Sequence, residues 1–229
     1  MIASSIEVRT GKPYKVHIGH GLLDEVGVML SVLHRPCQAM VVSDTNVAPL
    51  YLARLRTSLE AAGFRVLESV VPAGEGSKSF AVLERLMNAG AWPECTAQIS
   101  SSPSAAAWSV ISLVLPPAAT SAGFLSCRCQ RRCCRLWILQ LAARRRSILL
   151  PAKISSAHFI SPLAVFCDVD LIQTMDDAFF ADGVAESIKY GVLMDAALFD
   201  RLADKRLTKD AADLAEIASA CVSHKNTIV

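Results

Sequence analysis

The sequence predicts an α/β fold: an N-terminal, Rossmann-like doubly wound domain followed by a truncated, mainly α-helical C-terminal domain. Two observations carry this prediction. Within residues 1–90, short apolar runs alternate with segments of helical period, which is the order of a doubly wound fold. After residue 161, a single apolar run is followed by helical periodicity up to the last residue. The predicted domain boundaries are therefore 1–161 and 162–229.

The N-terminal elements follow one another as strand, helix, strand, loop and helix. Residues 38–44 (QAMVVSD) form a short apolar run, as a buried parallel strand does. Residues 46–63 have apolar positions at helical spacing and close on Gly63, which suits a helix C-cap. The order continues with a strand over 64–71, a loop over 72–78 (PAGEGSK) and a helix over 79–90.

Polar residues follow two of these predicted strands. Asp44 ends the first strand, and Glu75 and Lys78 come just after the second. Ligands of such folds bind beyond the carboxyl ends of the strands, so these residues are candidates for a binding site. A structural interpretation stays open beside it, in which Asp44 caps the next helix and Glu75 and Lys78 are solvated loop charges. The sequence has no G-x-G-x-x-G, so spacing alone predicts no nucleotide site.

The C-terminal segment begins with a strand and a turn over 164–175 and continues as helix over 176–207, with interruptions expected around Asp182-Gly183 and at Gly191. Glu186 and Lys189 are three residues apart and share a helix face, either as a surface ion pair or as functional groups. A last helix is predicted over 209–229. Its apolar stripe consists of Leu214, Ile217, Cys221 and Ile228. This pattern reaches Val229 without a C-cap signal, which predicts a truncated chain.

The middle segment, residues 91–161, differs sharply in composition from both flanks. It has eight basic residues but only one acidic residue, Glu94, and it has twelve serines, five of the eight cysteines and all three tryptophans. From Cys95 to Cys167 there is no aspartate or glutamate. This is a composition break and not a gradient.

Bulk properties restrict the class of protein. A net charge of +2 and 52% hydrophobic residues fit a soluble globular chain and argue against a dedicated nucleic-acid binder. The N-terminal residues contain no apolar segment typical of a secretory signal. We therefore expect a cytoplasmic protein without membrane or nucleic-acid partners, whose cysteines are thiols or metal ligands.

Five short motifs resemble those of 3-dehydroquinate synthase, in the order and at the spacing of that family. They are SDTNV (43–47), PAGEGSK (72–78), CDVDLIQT (167–174), GVAESIKYG (183–191) and CVSHKNTIV (221–229). The resemblance covers residues 1–90 and 162–229, and the second and fourth motifs together are specific. Between them the family has GGGVVGD, PTTLLA, VDSSVGGKT and GKNLIGAFHQP, none of which stands in this sequence.

The missing motifs can be read in another frame of the gene. With codons chosen within degeneracy, SAAAWSVI (104–111) read from the third base of each codon gives Gly-Gly-Gly-Val-Val-Gly-Asp. In the same frame CQRRCC (129–134) gives Pro-Thr-Thr-Leu-Leu, WILQLAARRR (137–146) gives Asp-Ser-Ser-Val-Gly-Gly-Lys-Thr-Ala, and PAKISSAHFIS (151–161) gives Gly-Lys-Asn-Leu-Ile-Gly-Ala-Phe-His-Gln. Four family motifs in order predict that residues 91–161 are encoded out of frame. We therefore expect this segment to pack poorly, because its sequence was not selected for burial.

Other interpretations of this segment stay open. A zinc site of Cys127, Cys129, Cys133 and Cys134 lacks two separated C-x₂-C pairs. A phosphate-binding patch could form around Arg144 to Arg146. A membrane span over 95–127 is disfavoured by Pro116-Pro117 and by the serines before them.

The resemblance implies a lyase of the shikimate pathway that closes a seven-carbon keto-acid sugar phosphate with NAD and a divalent metal, zinc or cobalt. It implies that residues 1–161 form the NAD-binding domain and residues 162–229 the start of the metal- and substrate-binding domain, and it suggests a homodimer. Glu186 matches the metal-binding carboxylate, and Lys189 and Lys225 match lysines that hold the anionic groups of the substrate. The residues that match the NAD site are Asp44, Asn46, Glu75, Lys78, Leu171, Ile172, Gln173 and Thr174.

Two departures from the family predict that the chain is inactive as it stands. The phosphate-cradling glycine loop is not encoded in this frame. The family's two metal-binding histidines follow the motif at which this sequence ends, and one carboxylate is not a catalytic zinc site. A sibling sugar-phosphate cyclase and a non-catalytic product of a degraded gene remain as alternatives.

Overall fold

The computed structural model describes residues 1–9, 13–74, 77, 82, 85, 110–115, 125–130 and 162–228. The chain divides into two compact units. The first unit contains both ends of the chain, Met1–Leu23 and Ala164–Val229, and the second contains Asp24–Arg128. Each unit is described by itself below.

The helices and strands are as follows in chain order: β1 (Ile2–Val8), β2 (Tyr14–Gly19), α1 (Leu22–Leu33), β3 (Gln38–Asp44), α2 (Ala48–Ala61), β4 (Arg65–Val71), β5 (Val110–Leu115), β6 (Leu125–Gln130), β7 (Ala164–Asp168), a 3₁₀ turn (Val169–Thr174), α3 (Asp177–Met194), α4 (Ala196–Asp204) and α5 (Leu214–Ile228). The strands predicted over 38–44 and 64–71, the strand and turn over 164–175, and the helix over 46–63 are confirmed within two residues at each end. The helix predicted over 79–90 lies outside the described residues, apart from single positions.

The first unit has a small sheet covered by three helices. Strands β1 and β2 form an antiparallel pair that the sequence analysis did not predict, and β2 pairs in parallel with β7 from Lys15↔Ala164 to Gly19↔Asp168. All five residues of β7 are buried, as expected of a strand covered on both faces. Alternate side chains of β2, together with β7, join α3, α4 and α5 in one hydrophobic core.

Helix α3 is continuous through Asp182 and Gly183, so the predicted interruption there is wrong. A single glycine costs a helix only about 1 kcal/mol, which packing against the core overcomes. The chain breaks instead at Asp195, whose extended backbone (φ −149°, ψ 91°) separates α3 from α4. Gly191 marks a close approach rather than an interruption, because a Cβ placed there would lie 2.9 Å from the backbone N and Cα of Phe199.

Helix α5 buries most of the predicted apolar stripe. Leu214, Ile217 and Cys221 are almost fully buried, but Ile228 is 62% exposed, so its assignment to the stripe is wrong. The stripe is completed by Ala218 and Val222, and the last turn carries polar side chains instead. The helix packs against α3, β1 and β2.

The second unit contains the parallel pair predicted for a doubly wound fold. Strands β3 and β4 pair in parallel from Gln38↔Arg65 to Asp44↔Val71, and α2 connects them. Helices α1 and α2 cross closely at Gly27, where a Cβ would lie 1.9 Å from the carbonyl oxygen of Ser58.

The other neighbour of β3 runs the opposite way. Strand β5 pairs antiparallel with β3, for example Met40↔Val114, whereas an interior strand of a doubly wound sheet is parallel to its neighbours. This strand lies in the segment of unusual composition. The prediction that residues 91–161 pack poorly otherwise lies outside the described residues.

Candidate functional site

The predicted site residues form two groups, one in each unit. Asp44 and Asn46 lie at the end of β3 in the second unit. In the first unit, Leu171–Thr174 form the 3₁₀ turn after β7, Glu186 and Lys189 lie on α3, and Lys225 lies on α5. Glu75 and Lys78 lie outside the described residues.

Asp44 has a defined structural role at the end of β3. Its Oδ1 accepts hydrogen bonds from the backbone N–H groups of Asn46 (2.8 Å) and Val47 (3.0 Å). This is an Asx turn, which directs the chain into α2. The predicted capping of α2 by Asp44 is wrong, because the N-cap of α2 is Val47 and no side chain caps the helix there.

The ends of β3 and β4 are joined through Thr45. Its N–H donates to the carbonyl oxygen of Val71 (3.0 Å), and its Oγ1 accepts from the N–H of Ala73 (3.1 Å). The PAGEGSK loop therefore starts beside Asp44. Gly74 turns this loop with a φ of +104°, and Ser77 closes it by donating to the carbonyl oxygen of Pro72.

Ser43, in the same strand end, is 2% exposed, and its Oγ has no hydrogen-bond partner among the residues that the structure describes. A buried hydroxyl without a partner is uncommon in proteins. A polar group of a ligand bound at this strand end would satisfy it, so the described residues fit a polar ligand there.

The 3₁₀ turn presents two of its four predicted site residues to solvent. Leu171 and Ile172 are 4% and 3% exposed and belong to the buried apolar residues. Gln173 and Thr174 are exposed, and Thr174 Oγ1 donates to the carbonyl oxygen of Leu171 at 3.2 Å. A ligand can therefore meet the side chains of Gln173 and Thr174, but Leu171 and Ile172 only through their backbone.

Asp168 fixes this turn to the start of α1, a contact that the sequence did not indicate. Its carboxylate accepts from the backbone N–H groups of Leu23 (2.9 Å), Gly21 (3.1 Å) and Asp170 (3.2 Å). Asp170 adds a hydrogen bond from the Gly21 N–H (2.9 Å) and a contact of 2.6 Å with His20 Nδ1. Gly21 and Leu23 are far from Asp168 in the chain, so no local pattern indicates these two contacts.

Glu186, Lys189 and Lys225 lie in one electrostatic neighbourhood. Lys189 Nζ is 3.4 Å from Glu186 Oε2, so the predicted ion pair is present. Partial burial lowers the pKa of Lys225 below its usual value, as does the charge of Lys189, whereas Glu186 acts in the opposite direction. The packing of α5 on α3 thus brings together three residues that are separated by up to 39 positions in the sequence.

The described residues do not form a complete metal site. Within the ranges that the structure describes, no group of three or more histidine, cysteine, aspartate and glutamate residues is arranged to hold a metal. Glu186 is a single carboxylate paired with a lysine, whereas a catalytic zinc has about three protein ligands. Cys167 is no substitute, because burial, aided by Asp168, raises the pKa of its thiol to about 12.

His224 and Asp195 form a further contact that the sequence analysis missed. His224 Nε2 on α5 is 2.8 Å from Asp195 Oδ2 at the junction of α3 and α4. Asn226, two residues later, donates from Nδ2 to the carbonyl oxygen of Glu7 on β1 (2.9 Å). The two side chains on either side of Lys225 therefore attach α5 to two different elements.

Comparison with curated proteins confirms the resemblance. The chain is 29% identical over 238 aligned residues to 3-dehydroquinate synthase of Desulforamulus reducens and 28% identical over 242 to that of Geobacter sp. strain M21. These alignments cover 98% and 100% of the chain but 64% of each relative, so the chain spans slightly less than two thirds of their length. No family model matches the chain.

Solved structures confirm the fold class. A 2-deoxy-scyllo-inosose synthase complexed with carbaglucose-6-phosphate, NAD⁺ and Co²⁺ is 13% identical with a TM-score of 0.68, covering 98% of this chain and 62% of that one. The 2-epi-5-epi-valiolone synthase of Streptomyces hygroscopicus, with NAD⁺ and Zn²⁺ bound, is 17% identical with a TM-score of 0.64 at the same coverage. The chain therefore has the fold of sugar-phosphate cyclases. No helix in the described ranges is long and apolar enough to cross a membrane.

Proposed function

We propose that the chain derives from a 3-dehydroquinate synthase, a cytoplasmic, homodimeric enzyme that closes a seven-carbon keto-acid sugar phosphate with loss of phosphate. The main support is the cluster of Glu186, Lys189 and Lys225, which two separate motifs place together. The similarity to curated 3-dehydroquinate synthases agrees with it.

In this proposal the two lysines bind the anionic groups of the substrate as point charges. Lys225 is partly buried and lies near a second cation, so its charge is costly in the unliganded protein. An anion bound between Lys189 and Lys225 offsets this cost, and the cluster is therefore suited to a phosphate or carboxylate. Glu186 orients Lys189 through their ion pair.

The residues assigned to NAD in this proposal are Asp44, Asn46, Glu75, Lys78, Leu171, Ile172, Gln173 and Thr174. Bound NAD would supply the transient oxidation of a ring hydroxyl, which acidifies the neighbouring C–H. The chain itself contributes the end of β3, which Thr45 fixes to the end of β4. The PAGEGSK loop begins beside it. Glu186 is the carboxylate assigned to a divalent metal, zinc or cobalt. Since the described residues do not complete a metal site, we assign no step of the reaction to a metal.

A sibling sugar-phosphate cyclase is the second candidate, because the solved structures that share the fold have other cyclase activities. The surviving motifs are common to both. An assay of substrate preference therefore distinguishes the two candidates.

We further propose that residues 91–161 are read out of frame and that the chain as it stands is inactive. The composition break and the four motifs in one alternative frame support this proposal. The antiparallel β5 agrees with it, because a parallel strand belongs at that place in a doubly wound sheet. Without the glycine loop, the backbone N–H groups that hold a pyrophosphate are missing.

The test begins with sequencing of the gene across codons 85–165 and continues with two proteins: the present chain and a version in which residues 91–161 are read in the alternative frame. We expect no NAD binding by the present chain and saturable NAD binding by the frame-restored version, measured by calorimetric titration. Tight NAD binding by the present chain would contradict the proposed defect.

Turnover is tested with the frame-restored version joined to the remaining segment of a curated relative. We expect phosphate release from the seven-carbon shikimate precursor and not from other sugar phosphates; the reverse preference would support the sibling cyclase. Lys225→Ala should lower kcat/KM by about tenfold or more, because it removes a charge on the bound anion. Lys205→Ala, an exposed lysine of the same unit, is the matched control and should leave the rate unchanged.

A further inference from the structure

The contact between His224 and Asp195 has no part in the proposed function, yet it lies directly beside Lys225. His224 Nε2 and Asp195 Oδ2 are 2.8 Å apart, and the two side chains are only 21% and 28% exposed. A charge-assisted hydrogen bond that is largely shielded from water is stronger than one at the surface. The pair is less exposed than the ion pair of Arg201 with Glu216 on the same helix, whose side chains are 41% and 71% exposed.

Asp195 is itself fixed in position. Its Oδ1 accepts from the N–H of Leu198 (3.0 Å) as the N-cap of α4, and its own N–H donates to the carbonyl oxygen of Gly191 (3.1 Å) at the end of α3. The absence of a side chain at Gly191 lets the Phe199 backbone approach α3 closely. The second carboxylate oxygen of Asp195 is thus a rigid acceptor for His224.

Lys225 is bracketed by two attachments. His224 joins α5 to the junction of α3 and α4, and Asn226 joins it to the carbonyl oxygen of Glu7 on β1. Consecutive helical residues point about 100° apart, so these bonds fix the rotation of α5 about its axis. A rotation that moved Lys225 away from α3 would break at least one of them.

We infer that His224 and Asp195 are positioning residues, whose hydrogen bond holds the ammonium group of Lys225 beside Lys189 and Glu186. The inference rests on the proposed function, in which Lys189 and Lys225 bind an anion together. His224 does not touch the anion. It acts by setting the depth and rotation of α5.

The electrostatics of Lys225 agree with this role. Its pKa is lowered by burial first and by Lys189 second. Both causes depend on α5 lying close against α3, and so on the contacts that hold it there.

The experiment measures the affinity of the full chain for inorganic phosphate, by calorimetric titration, in the unaltered protein and four variants. His224→Leu removes the hydrogen bond, and Asp195→Asn removes the charge while keeping an oxygen to cap α4. His224→Gln keeps a donor that can reach Asp195. Arg201→Leu is the matched control, because it breaks the ion pairs of α4 with Asp213 and Glu216 at the other end of α5.

We expect His224→Leu and Asp195→Asn to weaken phosphate binding by about fivefold or more, because a smaller fraction of the chains would then hold Lys225 beside Lys189. His224→Gln and Arg201→Leu should stay within about twofold of the unaltered chain. Unchanged affinity in both His224→Leu and Asp195→Asn would refute the positioning role and leave the roles of the lysines intact. An equal loss in Arg201→Leu would also refute it, since a general loosening of α5 would then suffice. If the unaltered chain bound no phosphate, this would contradict the proposed anion binding by Lys189 and Lys225, and with it the positioning role that depends on it.

Discussion

The carboxylate of Asp168 is 2% exposed and accepts three backbone hydrogen bonds, from Leu23, Gly21 and Asp170. Asp168→Ala leaves these donors without their partner. We expect it to lower the free energy of unfolding by roughly 2–3 kcal/mol, the cost of buried donors that lose an acceptor. Urea denaturation followed by circular dichroism measures this. As a control, Asp176→Ala removes an exposed helix cap that accepts a single hydrogen bond, from Ala178, and should lower the free energy of unfolding by less. Equal decreases in the two variants would contradict the importance of burial.

The pH dependence of stability gives a second test of Asp168. Burial raises the pKa of its carboxyl above the usual 3.8, although the hydrogen bonds from Leu23, Asp170 and Gly21 act against this. The folded chain therefore takes up a proton more readily than the unfolded chain. The contribution of this carboxyl to the free energy of unfolding is present below pH 3.8 and is lost as the pH rises from 3.8 through the pKa of the folded state. We expect the difference in unfolding free energy between the unaltered chain and Asp168→Asn to favour the unaltered chain most at acidic pH. A difference that grew with rising pH would show that the hydrogen bonds dominate.

Single residues also show what a sequence can predict about a site. Asp44 was expected to act locally, and it does, since its partners Asn46 and Val47 are its neighbours in the chain; the contact is an Asx turn and not the predicted helix cap. The contact of His224 with Asp195 was not, because it depends on how α5 packs against the end of α3. Glu186 and Lys189 lie within one helical turn, and only motif resemblance placed Lys225 with them.

Among the elements, glycines decide how closely two helices approach. Gly27→Ala would place a Cβ 1.9 Å from the carbonyl oxygen of Ser58, and Gly191→Ala one 2.9 Å from the backbone of Phe199. Alanine favours a helix over glycine by about 1 kcal/mol, but separating packed helices costs about 1–3 kcal/mol. We therefore expect both variants to be destabilised in thermal unfolding, Gly27→Ala more than Gly191→Ala. The control is Asp182→Ala at an exposed position of α3, and a stabilised Gly27→Ala would contradict the close crossing of α1 and α2.

Elements with a clear period were predictable, and those that depend on packing were not. Strands β3, β4 and β7 are short apolar runs, and the sequence marks them directly. The β1–β2 pair was not predicted. Strand β1 buries only Val8, and β2 pairs with β7, which lies far away in the chain, so neither strand has a strong local pattern. Gly183 and Gly191 look alike in the sequence, and only the neighbouring helix distinguishes them.

At the scale of the whole molecule, several of the large apolar side chains exposed on the described surface are close to one another in the sequence of a helix. Val28 (64%) and Val32 (82%) lie one turn apart on α1, and Val192 (64%) and Leu193 (68%) are adjacent on α3. Exposed apolar side chains favour association or aggregation where they form a patch. They are also what an out-of-frame segment would leave behind, since apolar faces would lose the residues that evolved to cover them.

We therefore expect the present chain to associate as its concentration rises, measured by sedimentation velocity and light scattering. Val28→Lys with Val32→Lys, and separately Val192→Lys with Leu193→Lys, should raise the midpoint concentration of association by about tenfold, because each removes one apolar patch from contact. Asp182→Lys, at an exposed polar position of α3, is the control for added positive charge. The frame-restored version should associate less without any of these substitutions, because its middle segment is expected to cover apolar surface. If it associates as strongly as the present chain, the exposed side chains are an ordinary interface and the proposed frameshift is not their cause.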